Sequence, residues 1–313
     1  MRTIPTLADS ARPVGTLWLT IDDRGPDGRS RAVEQYHEGA LRVIRPHYLD
    51  DSGQVTYTIV AVGGGYLGGD VYDQRFRILD NAQALLTTQS ATKIYRTPQG
   101  PVRQFTDIEV GENAVLEYLA DQTIAYREAT YHQFTRVRLH PSSTFVLSEE
   151  VTPGWHPDGT PFAYDEMRLH TEIEDAGTGR TFLLDNMMLR PGGRLGHFGW
   201  TEDYTHSGQF IVVAPQVDQD LVSELTHLSP TTPGSTGRRA CSARRGPTCV
   251  GCCCAPSVTG PRISSRCTST SRPCSGSGGG DSRPSTCAST ESPVPGTPRS
   301  GRSLGRASTT DTP

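Results

Sequence analysis

Apolar side chains recur at every second position through most of the first 230 residues of this 313-residue chain. Val55-Thr-Tyr-Thr-Ile-Val-Ala-Val62 is β-branched and aromatic and runs into glycines, which suits a half-buried pleated strand. Phe105 to Val110, Ala114 to Leu119, Phe134 to Leu139, Thr144 to Leu147, Met167 to Ile173, Thr181 to Leu184 and Phe210 to Ala214 repeat that character. Gly111-Glu-Asn113, Pro141-Ser-Ser143 and Ala176-Gly-Thr-Gly179 separate pairs of such runs, as hairpin and loop connections do. One segment has a helical period, Asp220 to Leu228, with Leu221, Val222, Leu225 and Leu228 on one face and Asp218 or Asp220 as its cap. The connections are too short for the helices of a doubly wound α/β fold. The pattern predicts an all-β protein, many short strands in packed sheets with few helices.

Composition divides the chain in two. Residues 231–313 hold 11 Arg, no Lys and 3 acids, a net charge of +8, which leaves 19 basic and 31 acidic residues, net −12, in 1–230. An acidic body repels phosphate backbones and attracts cations, so nucleic acid is excluded as its partner. All eight Cys lie in the tail, so the body needs no disulfides, and a reducing, cytoplasmic setting is expected. No apolar run approaches the roughly 20 residues that span a bilayer, so no membrane association is expected.

Gly63-Gly-Gly-Tyr-Leu-Gly68 has the G-x-G-x-x-G spacing, but Val71 to Ile78 reads as a strand where a dinucleotide site needs a helix. A glycine-rich turn that allows close packing around Asp70 is the better reading. Glu149-Glu150 and Asp165-Glu166 are adjacent acids on strands, pointing to opposite faces, and are read as solvated pairs rather than glycosidase carboxylates. The nine His show no H-x-H or H-E-x-x-H spacing. No catalytic residues are assigned, and the chain is read as a non-enzyme.

Particular strings carry a resemblance. Gly64-Gly-Tyr-Leu-Gly-Gly-Asp70, Ala84-Leu-Leu-Thr-Thr-Gln-Ser-Ala-Thr-Lys-Ile-Tyr-Arg96, Leu116-Glu-Tyr-Leu119 with Gln122-Thr-Ile124, Val151-Thr-Pro-Gly-Trp155 with Pro161-Phe-Ala-Tyr-Asp-Glu166, and Asp203-Tyr-Thr-His-Ser-Gly208 occur in order. Over roughly 14 to 228 the chain resembles the UreD (UreH) family of urease accessory proteins, in its Gram-positive variant. The resemblance implies a mostly β scaffold that binds UreF, recruits the GTPase UreG, docks on apo-urease and helps deliver nickel. It implies no tightly bound cofactor, only transient Ni2+. On the residues alone, the alternative is a β-sandwich binding module unrelated to urease.

Carboxylates and carbonyls hold nickel more weakly than imidazole and suit a relay. Asp70, Glu117, Asp121 and Glu166, in or beside the matched strings, are the metal-path candidates; each also fits a turn acid or solvated carboxylate. Lys93 is the only lysine beside 29 arginines, and with Tyr95 and Arg96 it forms the partner-binding candidate. His206 fits either a transient ligand or a hydrogen-bonded turn residue. Ala120 stands where the family commonly has proline.

From 231 the resemblance stops. That tail has one Leu, one Ile, three Val and no aromatic residue in 83 positions, too few for a packed core, so it is expected to be disordered. Three readings are weighed: a native appendage, a cysteine-rich metal module using Cys249 and Cys252, and out-of-frame translation. The third is preferred. GC-rich codons in a wrong frame give this Arg, Ser, Pro, Gly and Cys composition, and the Cys252-Cys253-Cys254 codons read one nucleotide earlier give two leucines.

Overall fold

The structure is a computed structural model, and it describes residues 12–23, 25, 27–192, 205–228, 239–243 and 248–255. It opens with β1 (Gly15–Asp22), β2 (Arg31–Gly39) and β3 (Leu41–Val43). Four successive coils follow: β4 (Val55–Ala61) with β5 (Val71–Ile78); β6 (Gln83–Thr88), β7 (Thr92–Ile94) and β8 (Val102–Val110); β9 (Val115–Leu119), β10 (Thr123–Ala125) and β11 (Thr130–Leu139); β12 (Thr144–Val151) with β13 (Glu166–Asp175). β14 (Thr181–Leu189), β15 (His206–Val213), α1 (Gln219–Leu228), β16 (Arg239–Ala243) and β17 (Thr248–Ala255) complete it. The all-β expectation holds.

Within the coils the pairing is parallel. β5, β8, β11 and β13 stack in register as one wall, and β4, β6, β9 and β12 as the other. Parallel neighbours need a crossover of a dozen residues or more, ordinarily a helix. Here the crossover is a strand of the opposite sheet, so the four coils wind as a short solenoid without crossover helices. β1 and β2 extend the first wall into a sheet of order β14-β13-β11-β8-β5-β1-β2; the second runs β16-β17-β15-β12-β9-β6-β4-β3.

Two of the three connections read as hairpins or loops are therefore corners between the sheets. Gly111 to Asn113 carries the chain from β8 in one sheet to β9 in the other, and Pro141 to Ser143 does the same between β11 and β12. Only Ala176 to Gly179 closes an antiparallel pair, β13 with β14. The corners are made by residues that tolerate the left-handed region: Asn81 has φ 63° and Asn113 φ 55°. They also bond to one another. Glu112 N donates to Asp80 Oδ1 (2.8 Å), Asn81 N to Glu112 O (2.8 Å) and Asn113 N to Ser142 Oγ (2.9 Å).

The core lies between the sheets. Leu17, Leu19, Ile21, Phe76, Ile78 and Ile108 of the first sheet meet Val55, Leu86, Leu116, Phe145 and Leu147 of the second, all at most 1% exposed. Burying a large apolar side chain contributes roughly 1.5–3 kcal/mol, so this continuous cluster is the main stabilising element. α1 is capped by Asp218, whose Oδ1 accepts the Leu221 N–H at 2.8 Å, and Val222 packs with Ala214 and Val217.

Two segments of the tail, β16 and β17, are strands. β17 pairs antiparallel with β15 from His206–Ala255 to Val213–Thr248, extending the second sheet across a span whose side-chain pattern promises no core. Main-chain pairing makes no demand on side-chain type, which explains why the pattern did not forecast it. Residues 231–238, 244–247 and 256–313 of the expected disordered tail, and the Cys249 and Cys252 side chains of the metal-module reading, lie outside the described residues.

Candidate functional site

The core is not apolar throughout. On the inward face of the first sheet, Gln74 of β5, Gln104 of β8 and Gln133 of β11 replace the aliphatic residues found elsewhere, each at most 8% exposed. Strand parity puts them there, since Val102, Gln104, Thr106, Ile108 and Val110 share one face. Buried amides need partners, and tyrosines supply them. Tyr66 and Tyr131 hydroxyls each lie 3.2 Å from Gln104 Oε1, Tyr131 lies 3.0 Å from Gln133 Oε1, and Tyr118 donates to Gln74 Oε1 at 3.2 Å. Burial pushes the phenols of Tyr66, Tyr118 and Tyr131 well up, so they stay neutral donors.

This network lines a cavity of about 100 Å³ between the sheets, with Lys93, Asp121, Glu149 and Glu150 also on its walls. Gln133 Nε2 donates to Glu149 Oε1, while Glu149 Oε2 has neither exposed surface nor a partner. Burial raises the Glu149 carboxyl to about 7, the Gln133 bond opposing and the charge of Asp185 reinforcing the shift. On the neighbouring strand Gln209, paired with Glu149, has its own Oε1 buried and unpartnered. Two bare oxygens thus stand at one level of the interior.

At the other end the network reaches Asp70. Tyr66 stacks on Tyr72 with ring centroids 3.6 Å apart, and Tyr72 donates to Asp70 Oδ2 at 3.0 Å. Asp70 Oδ2 also takes the Leu67 N–H (2.8 Å) and so closes the glycine-rich turn. A Cβ on Gly65 would stand 2.7 Å from Tyr95 Cε2 and 2.8 Å from the Lys93 carbonyl, so glycine is what lets this turn press against β7. β5 follows as a strand, leaving no helix N-terminus for a dinucleotide.

The four metal-path candidates are dispersed. Asp121 is exposed on the cavity wall, its N–H bonded to Thr88 Oγ1 at 2.9 Å, and Asp70 ends the tyrosine network. Glu117 lies on the outward side of β9, its carboxyl raised by burial and by Asp50. Glu166 is held by His132 Nε2 (2.9 Å) and Arg190. Burial raises its pKa, but those hydrogen bonds and charges together prevail and lower it. Among the described residues no three His, Cys, Asp or Glu gather as a metal cluster. His206 Nδ1 lies 2.9 Å from Thr205 Oγ1.

Sequence reasoning missed Glu149. It was expected to be half of a solvated pair with Glu150; instead its carboxylate faces the interior. The signal was present, because Phe145, Leu147, Glu149 and Val151 alternate on one face of β12. At Asp165-Glu166 the second acid is likewise not free but ion-paired.

Lys93, Tyr95 and Arg96 lie on the narrow third side of the solenoid, formed by β7, β10 and the segments beside them. Tyr66 bridges to Ile94 and Tyr126 to Trp155. Tyr95, Tyr126 and Trp155 therefore stand in consecutive coils, with centroid distances of 4.8 and 4.9 Å, and Trp155 is 49% exposed. Arg96 Nε donates to Glu128 Oε2 at 2.8 Å beside this row. Lys93 borders both the cavity and this side.

The chain is thus a β-solenoid with a hydrogen-bonded polar interior and a row of aromatic rings that ends at the exposed Trp155. Its sequence matches the family model described as UreD urease accessory protein over residues 14–272, so the chain belongs to that family. The match runs past residue 228, where the string-by-string resemblance ended, and takes in β16 and β17. A protein of Corynebacterium glutamicum (strain R) named urease accessory protein UreD is 77% identical over 214 residues, 68% of this chain and 76% of that one. Proteins of the same name from Arthrobacter sp. (strain FB24) and Staphylococcus epidermidis are 48% and 38% identical, over 74% and 68% of this chain and 79% and 76% of theirs. These sources fit the Gram-positive variant, and the unrelated binding module is set aside. Among the described residues no helix is long and apolar enough to cross a membrane.

Proposed function

We propose that the chain acts as a non-catalytic scaffold of urease maturation that binds UreF, UreG and apo-urease in the cytoplasm and passes Ni2+ along its polar interior. The observation that carries this reading is the unpartnered Glu149 Oε2 beside Gln209 Oε1, at the end of a tyrosine and glutamine network that begins at Asp70. A carboxylate and an amide oxygen suit transfer, since such donors bind nickel more loosely than imidazole does. Asp121, on the same cavity, is the third oxygen donor of the path. Glu166 and Glu117 lie off it, the first satisfied by the Arg190 guanidinium and the His132 ring and the second on the outer face.

Partners would meet the third side, where Lys93, Tyr95 and Arg96 stand with Tyr126 and Trp155; two half-buried tyrosines and an exposed tryptophan beside arginine are the composition of interface hot spots. The test uses cells that express urease and its other accessory genes, with Glu149→Leu replacing the native residue. Partner co-purification should persist while nickel per urease falls at least about tenfold. Normal nickel loading in a stably folded Glu149→Leu protein would overturn the interior path.

A further inference from the structure

A second recess lies on the opposite, outward face of the first sheet and takes no part in the interior path. It is a groove of about 340 Å³ across β5, β8, β11 and β13. The parallel register sets side chains in level rows. Asp73, Phe105, Phe134 and His170 form one row, and Arg75, Asp107, Arg136 and Glu172 the next. Phe105 and Phe134 stack at 5.4 Å as the floor. Arg75 is held by Asp73, Arg77 by Glu109, and Arg138 by Asp107 and Glu109.

Two atoms in this groove have nothing to bind. His170 is 6% exposed and its Nε2 is buried without a partner; Arg136 Nε is likewise buried and unpartnered. The tautomer of His170 follows from its neighbours. Arg168 Nε, always a donor, bonds to Asn186 Oδ1 at 3.0 Å, which fixes that atom as oxygen. His170 Nδ1 lies 3.2 Å from the same oxygen and must carry the hydrogen. In the neutral ring Nε2 is then a bare lone pair. The groove thus offers one buried acceptor and one cationic donor, and its lining has four arginines against three acids although the body is strongly acidic.

We propose that this groove binds a small oxyanion that keeps one acidic proton, its charged oxygen accepting from Arg136 and its hydroxyl donating to His170 Nε2. Hydrogenphosphate is the probe of that class. Sulfate has the charge without the proton. A phosphomonoester, with a second pKa near 6, has lost its proton by pH 8, so the same comparison separates free phosphate from a phosphate carried on an organic molecule.

Calorimetric titration of the full chain with inorganic phosphate, sulfate and glycerol phosphate at pH 8 tests this. Saturable phosphate binding is expected, at least about tenfold tighter than either alternative, because an unmatched buried acceptor forfeits a hydrogen bond to a charged group. His170→Phe and Arg136→Met should each weaken phosphate about tenfold, with Arg127→Met, outside the groove, as the unaffected control. No phosphate binding, or equal binding of sulfate, overturns the proposal. So does unchanged phosphate affinity in both variants. Should either variant fail to fold, the phosphate-to-sulfate ratio of the native chain decides alone.

Discussion

Gln133 donates its side-chain amide to the carboxylate of Glu149, so the two sheets of the solenoid are joined through a polar contact at the level where the core ceases to be apolar. One step along, Tyr118 of the second sheet donates to Gln74 of the first, and toward the corners the sheets meet through aliphatic and aromatic side chains. The exchange makes this level responsive to protons.

Stability should fall as pH rises across that level's titration. The Glu149 carboxyl moves from an ordinary 4.5 to about 7 in the fold, so the native state binds a proton more tightly than the unfolded chain does. Its contribution is complete below about 4.5 and is lost as pH rises through about 7; a shift of this size corresponds to on the order of 3 kcal/mol. Urea midpoints between pH 5 and 8 should decline for the native chain and run flatter for Glu149→Gln. Parallel slopes would show that Glu149 does not govern the dependence.

Removing Asp73 should loosen the outer face of the first sheet. Asp73 is 4% exposed, accepts from Trp18 Nε1 at 3.1 Å and pairs with Arg75, whose guanidinium also covers the Trp18 ring at 4.8 Å. Asp73→Ala leaves that arginine without its nearest carboxylate and should cost about 1–3 kcal/mol in urea unfolding. Trp18 lies 40% exposed, and its emission should shift to the red as the cover relaxes. Unchanged emission would mean that Asp73 does not order the indole.

How much of this was legible depends on which physical rule each feature obeys. β4, β5, β8, β9, β11 to β15 and α1 follow from periodicity, because one face of each meets the core. β2 was not visible: eight of its nine residues are exposed, all but Ala32, so it has no alternation to read. Parallel winding was hidden because a corner between sheets and a turn within one have the same length and the same Gly, Asn and Ser composition. Asn113 serves the first purpose and Gly179 the second. The interior polar path was legible in principle, since Gln104 and Glu149 each alternate with apolar residues. Its partners were not, because Tyr66 and Tyr131 reach Gln104 from distant positions in the chain.

The corners give a prediction of two different magnitudes at one residue. Asn113 sits at φ 55°, where a side chain with a Cβ is strained and only Asn, Asp and Gly are at ease. Its amide also faces Asn81 Oδ1 in the preceding corner at 3.4 Å. Asn113→Ala should destabilise by about 1–2 kcal/mol, while Asn113→Gly should cost clearly less because glycine has no penalty at that φ. Thermal unfolding of both variants decides; equal losses would mean that the amide contact, not the backbone, holds the corner.

Gly65 and Trp155 separate the two ways of disturbing the aromatic side. A Cβ on Gly65 would meet Tyr95 at 2.7 Å and the Lys93 carbonyl at 2.8 Å, so Gly65→Ala must shift β7 and should destabilise by about 1–3 kcal/mol. Trp155 is half exposed at the end of the row, and Trp155→Ala removes contact area at its rim while leaving the buried Ile94 and Ala125 beneath untouched. On the proposed docking role, Trp155→Ala should leave the melting temperature within a few degrees of native yet lower partner co-purification by about tenfold or more, the size of an interface hot spot. Gly65→Ala should lower both together. Full partner capture by Trp155→Ala would move the docking surface away from the third side, and the nickel path would then have to open to its partners elsewhere along the cavity.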